Sequence, residues 1–181
     1  MGKWEEKKET LIDLKTRRSC RKFLPKQIAQ NDLEAILEAG TYAPSGMNHQ
    51  SPVILVIQDK ATIEKLAALN AMIMGKTTDF DPFYGAPTLL LVLADRQYRT
   101  WHEDGNLVMG NLLNAAHAVG IDSCYIYRAK EEFEREEGKA LLKKWGIIGD
   151  YVGIGHCALG YAAEGGVKAA SPRKENYVIY V

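Results

Sequence analysis

The 181-residue sequence predicts an α+β or α/β layered fold with a central sheet flanked by helices. Three observations predict it. Short, continuous β-branched or leucine-rich runs read as buried strands. Segments with apolar residues three and four apart read as amphipathic helices. The two kinds alternate along the chain, with no internal repeat, low-complexity stretch or long linker. One domain over residues 1–181 is the expectation, long enough to bury a core without disulfide staples.

The elements follow in order. Leu11, Ile12 and Leu14 mark a short helix ending near Thr16. Asn31 to Glu34 has capping-box spacing, and Leu33, Ile36 and Leu37 give the next helix its apolar face before Pro44 stops it. Val53 to Ile57 reads as a buried strand, followed by a helix from about Lys60 to Leu69. Leu89 to Leu93 is a second buried strand. Leu107, Leu112, Leu113, Ala116 and Val119 mark a long helix that Gly120 ends. Ser123 to Tyr127 is a third strand, Glu131 to Trp145 one charged helix, and Gly153 to Tyr161 a fourth strand. The tail Asn176 to Val181 is strand-like and apolar. It must pair either with its own sheet or with a second subunit, because an open apolar edge invites aggregation.

Apolar residues make up 46% and charged residues 25%, and 23 cations balance 23 carboxylates. Zero formal charge gives no global signal for nucleic acid or an anionic membrane. The apolar runs are too short to span a bilayer. The N-terminus, Met1 to Glu9, lacks a signal-peptide core. Cys20, Cys124 and Cys157 are odd in number and widely spaced, against a disulfide framework or zinc knuckle. A reducing cytoplasm is expected.

Three polar clusters carry chemistry. Arg17-Arg-Ser-Cys-Arg21 crowds guanidiniums at a helix end. It is either a solvated basic turn suited to the helix dipole or an anion site, since the guanidinium fork fits phosphate. Ala43-Pro-Ser-Gly-Met-Asn-His-Gln50 is a loop of turn formers. Its Ser45, Asn48 and Gln50 offer donors and acceptors, and Gly46 permits close backbone approach. Ser171-Pro-Arg-Lys174 adds cations near the end of the chain. Weaker signals read as structural. Gly153-Ile-Gly-His-Cys-Ala158 fits G-x-G-x-x-A but does not open a helix, so a dinucleotide loop is not expected. His156 and Cys157 read as a packed pair without ligand spacing. Asp79 and Asp81 read as solvated loop carboxylates, and no metal site is expected. Cys20 among arginines should have a lowered thiol pKa, as either a redox-sensing thiol or a filler position.

Six segments in this order resemble the FMN-dependent nitroreductase family across nearly the whole chain. They are Arg17-Arg-Ser-x-Arg-Lys-Phe23, Ala43-Pro-Ser-Gly-x-Asn-x-Gln50, Gly85-Ala-Pro87, Asn111-Leu-Leu-x-Ala-Ala116 with Gly120, Leu159-Gly-Tyr161 and Pro172-Arg-Lys174. The resemblance implies a three-layer sandwich with a central mixed, mainly antiparallel sheet. It implies a homodimer holding FMN between subunits, with the C-terminal arm 176–181 exchanged onto the partner's sheet.

By residue match, Arg17 and Ser19, helped by Arg18, would meet the FMN phosphate and ribityl chain, and Arg173 would reach the phosphate from the far end. Arg21 would lie at the N1–C2=O edge, where a cation stabilises reduced flavin. Pro44, Ser45, Gly46, Asn48 and Gln50 would come from the other subunit. Asn70 would meet the pyrimidine edge, and backbone near Tyr125 and Ile126 would lie by the ring. The implied activity moves electrons from NAD(P)H to an electron-poor small molecule, a nitroaromatic or quinone, by ping-pong turnover without an essential side-chain acid or base. The short segment Ala71 to Tyr84 and the lack of an extra helical pair after Tyr98 distinguish the chain from larger members. Phe80, Phe83, Tyr84, Trp101 and His102 form a short cover or pack as core. Flavin storage or sensing, or a related dehalogenase or flavin-modifying activity, are the alternatives.

Overall fold

A computed structural model describes residues 8–181; the reading of Met1 to Glu9 as lacking a signal-peptide core falls mostly outside them. Helix α1 (Lys8–Thr16) ends where expected. Helix α2 (Gln30–Thr41) starts at an uncapped Ala29, so Asn31 is already inside the helix and the capping box does not form. Burial of Ile28 and Leu33 sets this entry instead. Gln30 donates to Glu34 Oε1 at 2.9 Å, an i,i+4 pair on the outer face.

Strand β1 (Pro52–Ile57) lies at a sheet edge. It is half-buried rather than fully buried as its apolar run suggests, because only one neighbour covers it. Helix α3 (Lys60–Ile73) is capped by Asp59, which accepts from Thr62 N at 2.8 Å, and runs four residues past Leu69. Strand β2 (Thr88–Asp95) is buried throughout. Helix α4 (Trp101–Ala118) ends at Gly120, whose φ of +77° suits only glycine well. Strand β3 (Asp122–Ile126) follows.

The expected single helix over 131–145 is two: α5 (Ala129–Glu134) and α6 (Glu136–Lys144), broken at Arg135. Gly138 explains the break. A Cβ there would overlap the Glu132 carbonyl oxygen, so α6 folds back closely onto α5. Strand β4 (Tyr151–Gly160) completes the sheet.

The strand order is β1-β2-β4-β3, and every pair is antiparallel. The expected mixed character reduces to one parallel bridge outside the named strands, Ser19 with Ser123. Alternation along β2 builds the two faces. Leu89, Leu91 and Leu93 meet α3, α5 and α6 through Leu66, Phe133 and Leu141. Leu90, Val92 and Ala94 meet α2 and α4 through Ile36, Met109 and Leu112. Each such leucine contributes roughly 1.5–3 kcal/mol by leaving water. The result is the expected three layers.

Two further expectations change. His156 and Cys157 are not a packed pair, since successive strand residues point to opposite faces and they join different cores. The tail 176–181 forms no strand and is exposed throughout. Its own sheet offers it no ladder among the described residues.

Candidate functional site

The turn after α1 runs beside β3. Cys20 N donates to Ser123 O at 2.9 Å, and Arg21 N donates to Gly166 O at 2.8 Å. The Ser19–Ser123 bridge is parallel, so residues 19–21 and β3 run in the same direction. Arg17 and Ser19 therefore lie near the start of β3, with Arg21 further along. Their convergence shows in the Cys124 thiol: burial raises its pKa, opposed by nearby Arg21, Ser19 and Arg17. Arg17 Nη1 and Ser123 Oγ are buried and, among the described residues, have no hydrogen-bond partner. Such orphans are rare in native structures and call for an unseen partner. The orphaned donors suit an anion with several acceptor oxygens, such as a phosphate. Arg18 does not join this cluster. Its Nη1 donates to Lys15 O at 2.7 Å and Arg17 O at 2.6 Å, closing the end of α1. Arg173 lies in the exposed tail, donating to Ser171 O at 2.7 Å.

The loop 43–50 is held by α4. Asp104, which is 2% exposed, accepts Gly46 N–H at 2.9 Å, Thr100 Oγ1 at 3.0 Å and Ser51 Oγ at 3.2 Å. A Cβ on Gly46 would overlap Thr100 Oγ1, so only glycine allows this close seat. Met47, Asn48 and Gln50 all have φ between 50° and 58°, a left-handed geometry that non-glycine residues avoid. Ser45 Oγ accepts Gln50 N at 2.9 Å, and Gln50 Nε2 donates to Asn48 Oδ1 at 3.2 Å. Pro44 and Met47 stay exposed. Asp104→Ala should leave three donors without their acceptor. Hydrogen bonds to a charged group are worth about 1.5–3 kcal/mol each, so a lower Tm and faster proteolysis within 43–50 are the expected results.

At the other end of β3, backbone groups alternate sides. Ser123 O points away from β4 to Cys20, so Tyr125, two residues on, also presents its backbone outward, whereas Ile126 faces β4. The Tyr125 hydroxyl is tied off, 3.0 Å from Ile154 O and 3.2 Å from Asn106 Oδ1. Asn70 has no exposed surface; its amide bonds to Glu132 and Arg128 rather than facing open space.

The residues 14–161 match the model of the nitroreductase family. The chain belongs to the nitroreductase family. An NADH dehydrogenase/NAD(P)H nitroreductase by name, from Archaeoglobus fulgidus, is 31% identical over 84% of this chain and 85% of its own. A nitroreductase from Bacteroides fragilis, solved with bound FMN, is 31% identical; the match covers 96% of this chain and 98% of that one at a TM-score of 0.87. A nitroreductase from Desulfitobacterium hafniense, also with bound FMN, is 25% identical over 96% and 98%, with a TM-score of 0.86.

In this chain the remaining candidates are structural. Gly153 to Ala158 lies inside β4 and opens no helix. Asp81 accepts backbone N–H bonds from Phe83 at 2.8 Å and Gly85 at 2.6 Å, which closes the turn before β2. No cluster of three metal-ligating side chains occurs among the described residues. Phe83 is core, while Phe80 and His102 stay exposed, so the cover is thinner than the aromatic count suggests. Burial raises the pKa of Cys20, against the lowering expected from its arginine neighbours; its thiol donates to Lys22 O at 3.2 Å. Cys157 is pushed up too, by burial. All three cysteines are therefore expected to react slowly with a thiol reagent at pH 8 until denaturant is added. One fast equivalent before unfolding would overturn this.

Two buried acids, Asp104 and Glu132, escaped the sequence reading. Their positions carry a signal. Asp104, Val108, Leu112 and Ala116 share one buried stripe of α4, and Glu132 shares the buried face of α5 with Ala129 and Phe133. An acid on an apolar stripe needs a partner.

Proposed function

We propose that the chain is an FMN-dependent oxidoreductase that passes electrons from NAD(P)H to an electron-poor small molecule such as a nitroaromatic or quinone. The observation that carries this reading is the buried Arg17 Nη1, without a hydrogen-bond partner among the described residues, beside Ser19 at the start of a strand edge whose far end presents open backbone. These residues fit FMN: Arg17, Ser19 and Ser123 would hold the phosphate end, Arg21 would stand beside the ring, and the Tyr125 backbone would meet it. When bound, the flavin accepts and returns the electrons. The chain supplies position and charge. Turnover is ping-pong, the nicotinamide leaving before the acceptor enters by the same open face.

The working unit is a homodimer. Within one chain the two halves of the site sit at opposite ends of α4. Asp104 holds the loop at one end, and at the other His117 Nε2 lies 2.9 Å from Thr16 Oγ1, next to the arginine turn. Thirteen helical rises separate Asp104 from His117, about 20 Å. That distance separates the loop from its own chain's phosphate end. Leu11, Ile12 and Leu14 on α1, Leu107 on α4 and Val119 just past its end are exposed apolar residues that a second copy would cover. The six-residue edge strand β1, bordering a cavity of about 540 Å³ with Pro44, Ser45 and Gln50 in its wall, suits the partner's six-residue tail 176–181. Arg173, on the same tail, would then reach a phosphate by crossing to it. Deleting 176–181 is expected to shift the protein toward monomer by light scattering and to lower flavin content; an unchanged dimer would count against the exchanged arm.

The test of the activity is spectroscopic. Purified protein should show bound-flavin absorbance, bleach on titration with NADH or NADPH, and recover with a nitroaromatic or quinone. A yellow protein that stays oxidised for hours under excess of either nucleotide would instead be a flavin store or sensor. A colourless protein that takes up no FMN overturns both.

A further inference from the structure

Four side chains form a line behind the ring end of the proposed flavin site. His156 Nε2 lies 2.6 Å from Glu132 Oε2. The other oxygen of Glu132 accepts from Asn70 Nδ2, and Asn70 Oδ1 accepts from Arg128 Nε at 2.8 Å. His156, Glu132 and Asn70 come from β4, α5 and α3, and none has exposed surface. Only Arg128 reaches the outside, half-buried at the turn beyond β3.

The chemistry of the line fixes its direction. A guanidinium only donates and a carboxylate only accepts. The Asn70 amide therefore has one orientation, oxygen toward Arg128 and nitrogen toward Glu132. Arg128 itself has φ of +79°, a left-handed geometry unfavourable for a residue with a Cβ. Such strain persists where surroundings over-determine the conformation, and it gathers at working sites. The bond that Arg128 donates to Asn70 and the Tyr127 ring, whose centroid is 4.5 Å from the guanidinium carbon, hold Arg128 in that pose. An asparagine without accessible surface, both ends of its amide engaged, is poorly placed to touch a ligand. The residue match that gave Asn70 a direct flavin contact points to its outward neighbour instead.

We propose that Arg128 is the flavin-facing residue of this line, and that Asn70, Glu132 and His156 are positioning residues that act through it. This rests on the flavin reading given above. A cation fixed near the ring favours the anionic reduced flavin over the oxidised form, so a secured Arg128 raises the bound flavin's midpoint potential. A loosened one loses that effect.

The experiment is a double-mutant cycle read by spectroelectrochemical titration of FMN-loaded protein. Arg128→Ala and Asn70→Leu should both retain FMN, since the phosphate end is untouched, and both should shift the potential in the negative direction. The double variant should match Arg128→Ala alone, because Asn70 has nothing left to position. If Asn70→Leu does not fold, Asn70→Ser takes its place in the cycle. Additive shifts would mean that Asn70 acts on the flavin independently, which overturns the inference. A lower Tm with unchanged potential in the Asn70 variant would reduce the line to a structural role and overturn it as well. A wild-type protein that takes up no FMN removes the flavin reading and this inference together; a flavin-loaded wild type whose potential ignores Arg128 removes this inference alone.

Discussion

Arg17→Ala is expected to strip the protein of FMN. The side chain brings a buried guanidinium nitrogen that has no protein partner among the described residues, so its removal leaves the fold's own hydrogen bonds largely intact. What disappears is a charge-assisted bond to the phosphate, worth roughly 1.5–3 kcal/mol, or about 10- to 100-fold in Kd. Flavin content after dialysis and Kd from fluorescence titration measure it. Arg17→Lys should recover part of the affinity, as a point charge without the planar fork. Arg18→Ala is the contrasting control. Its guanidinium closes the end of α1, so a modest loss of stability with near-normal flavin content is expected. Equal FMN retention in Arg17→Ala and wild type would remove the phosphate assignment.

His156→Ala is expected to have the largest effect on stability. It opens a void beside Phe83, whose ring centroid lies 5.0 Å from the imidazole, and it leaves Glu132 Oε2 buried without its hydrogen-bonding partner. The void and the unsatisfied buried carboxyl oxygen together cost about 3–5 kcal/mol. For a chain of this size that lowers Tm by on the order of 10 °C. Glu132→Gln should be milder, because the amide keeps the shape and an acceptor for Asn70. Thermal melts of the two variants give the ranking, and a His156→Ala protein within 2 °C of wild type would contradict the pairing.

Much of the architecture was legible because it rests on local periodicity. The alternation of strand-like and helix-like runs, the stop at Gly120 and the two-faced burial of Leu89 to Leu93 all follow from spacing. The errors come from tertiary contacts that spacing does not encode. The break at Arg135 depends on Gly138 lying against Glu132, and the start of α2 depends on buried Ile28 and Leu33 rather than on a cap. β1 has the composition of an interior strand yet occupies an edge. At the site, the arginine turn and the loop 43–50 were visible as clusters of unusual residues. The two acids that brace the site were not, because each is a single carboxylate in a helix of ordinary composition. Arg18 shows the opposite failure: a motif neighbour whose side chain turns to its own helix.

The span of α4 has a consequence for mixtures of variants. If its front end carries the loop for a neighbour's flavin and its back end abuts the chain's own arginine turn, each protomer belongs to two catalytic centres at once. A subunit crippled by Arg17→Ala and another crippled by Asp104→Ala would then pool both injuries in one centre of a hybrid pair and leave the second centre intact. Unfolding and refolding the two together should restore colour and turnover that neither shows when refolded separately, a form of complementation open only to sites shared across the molecular twofold.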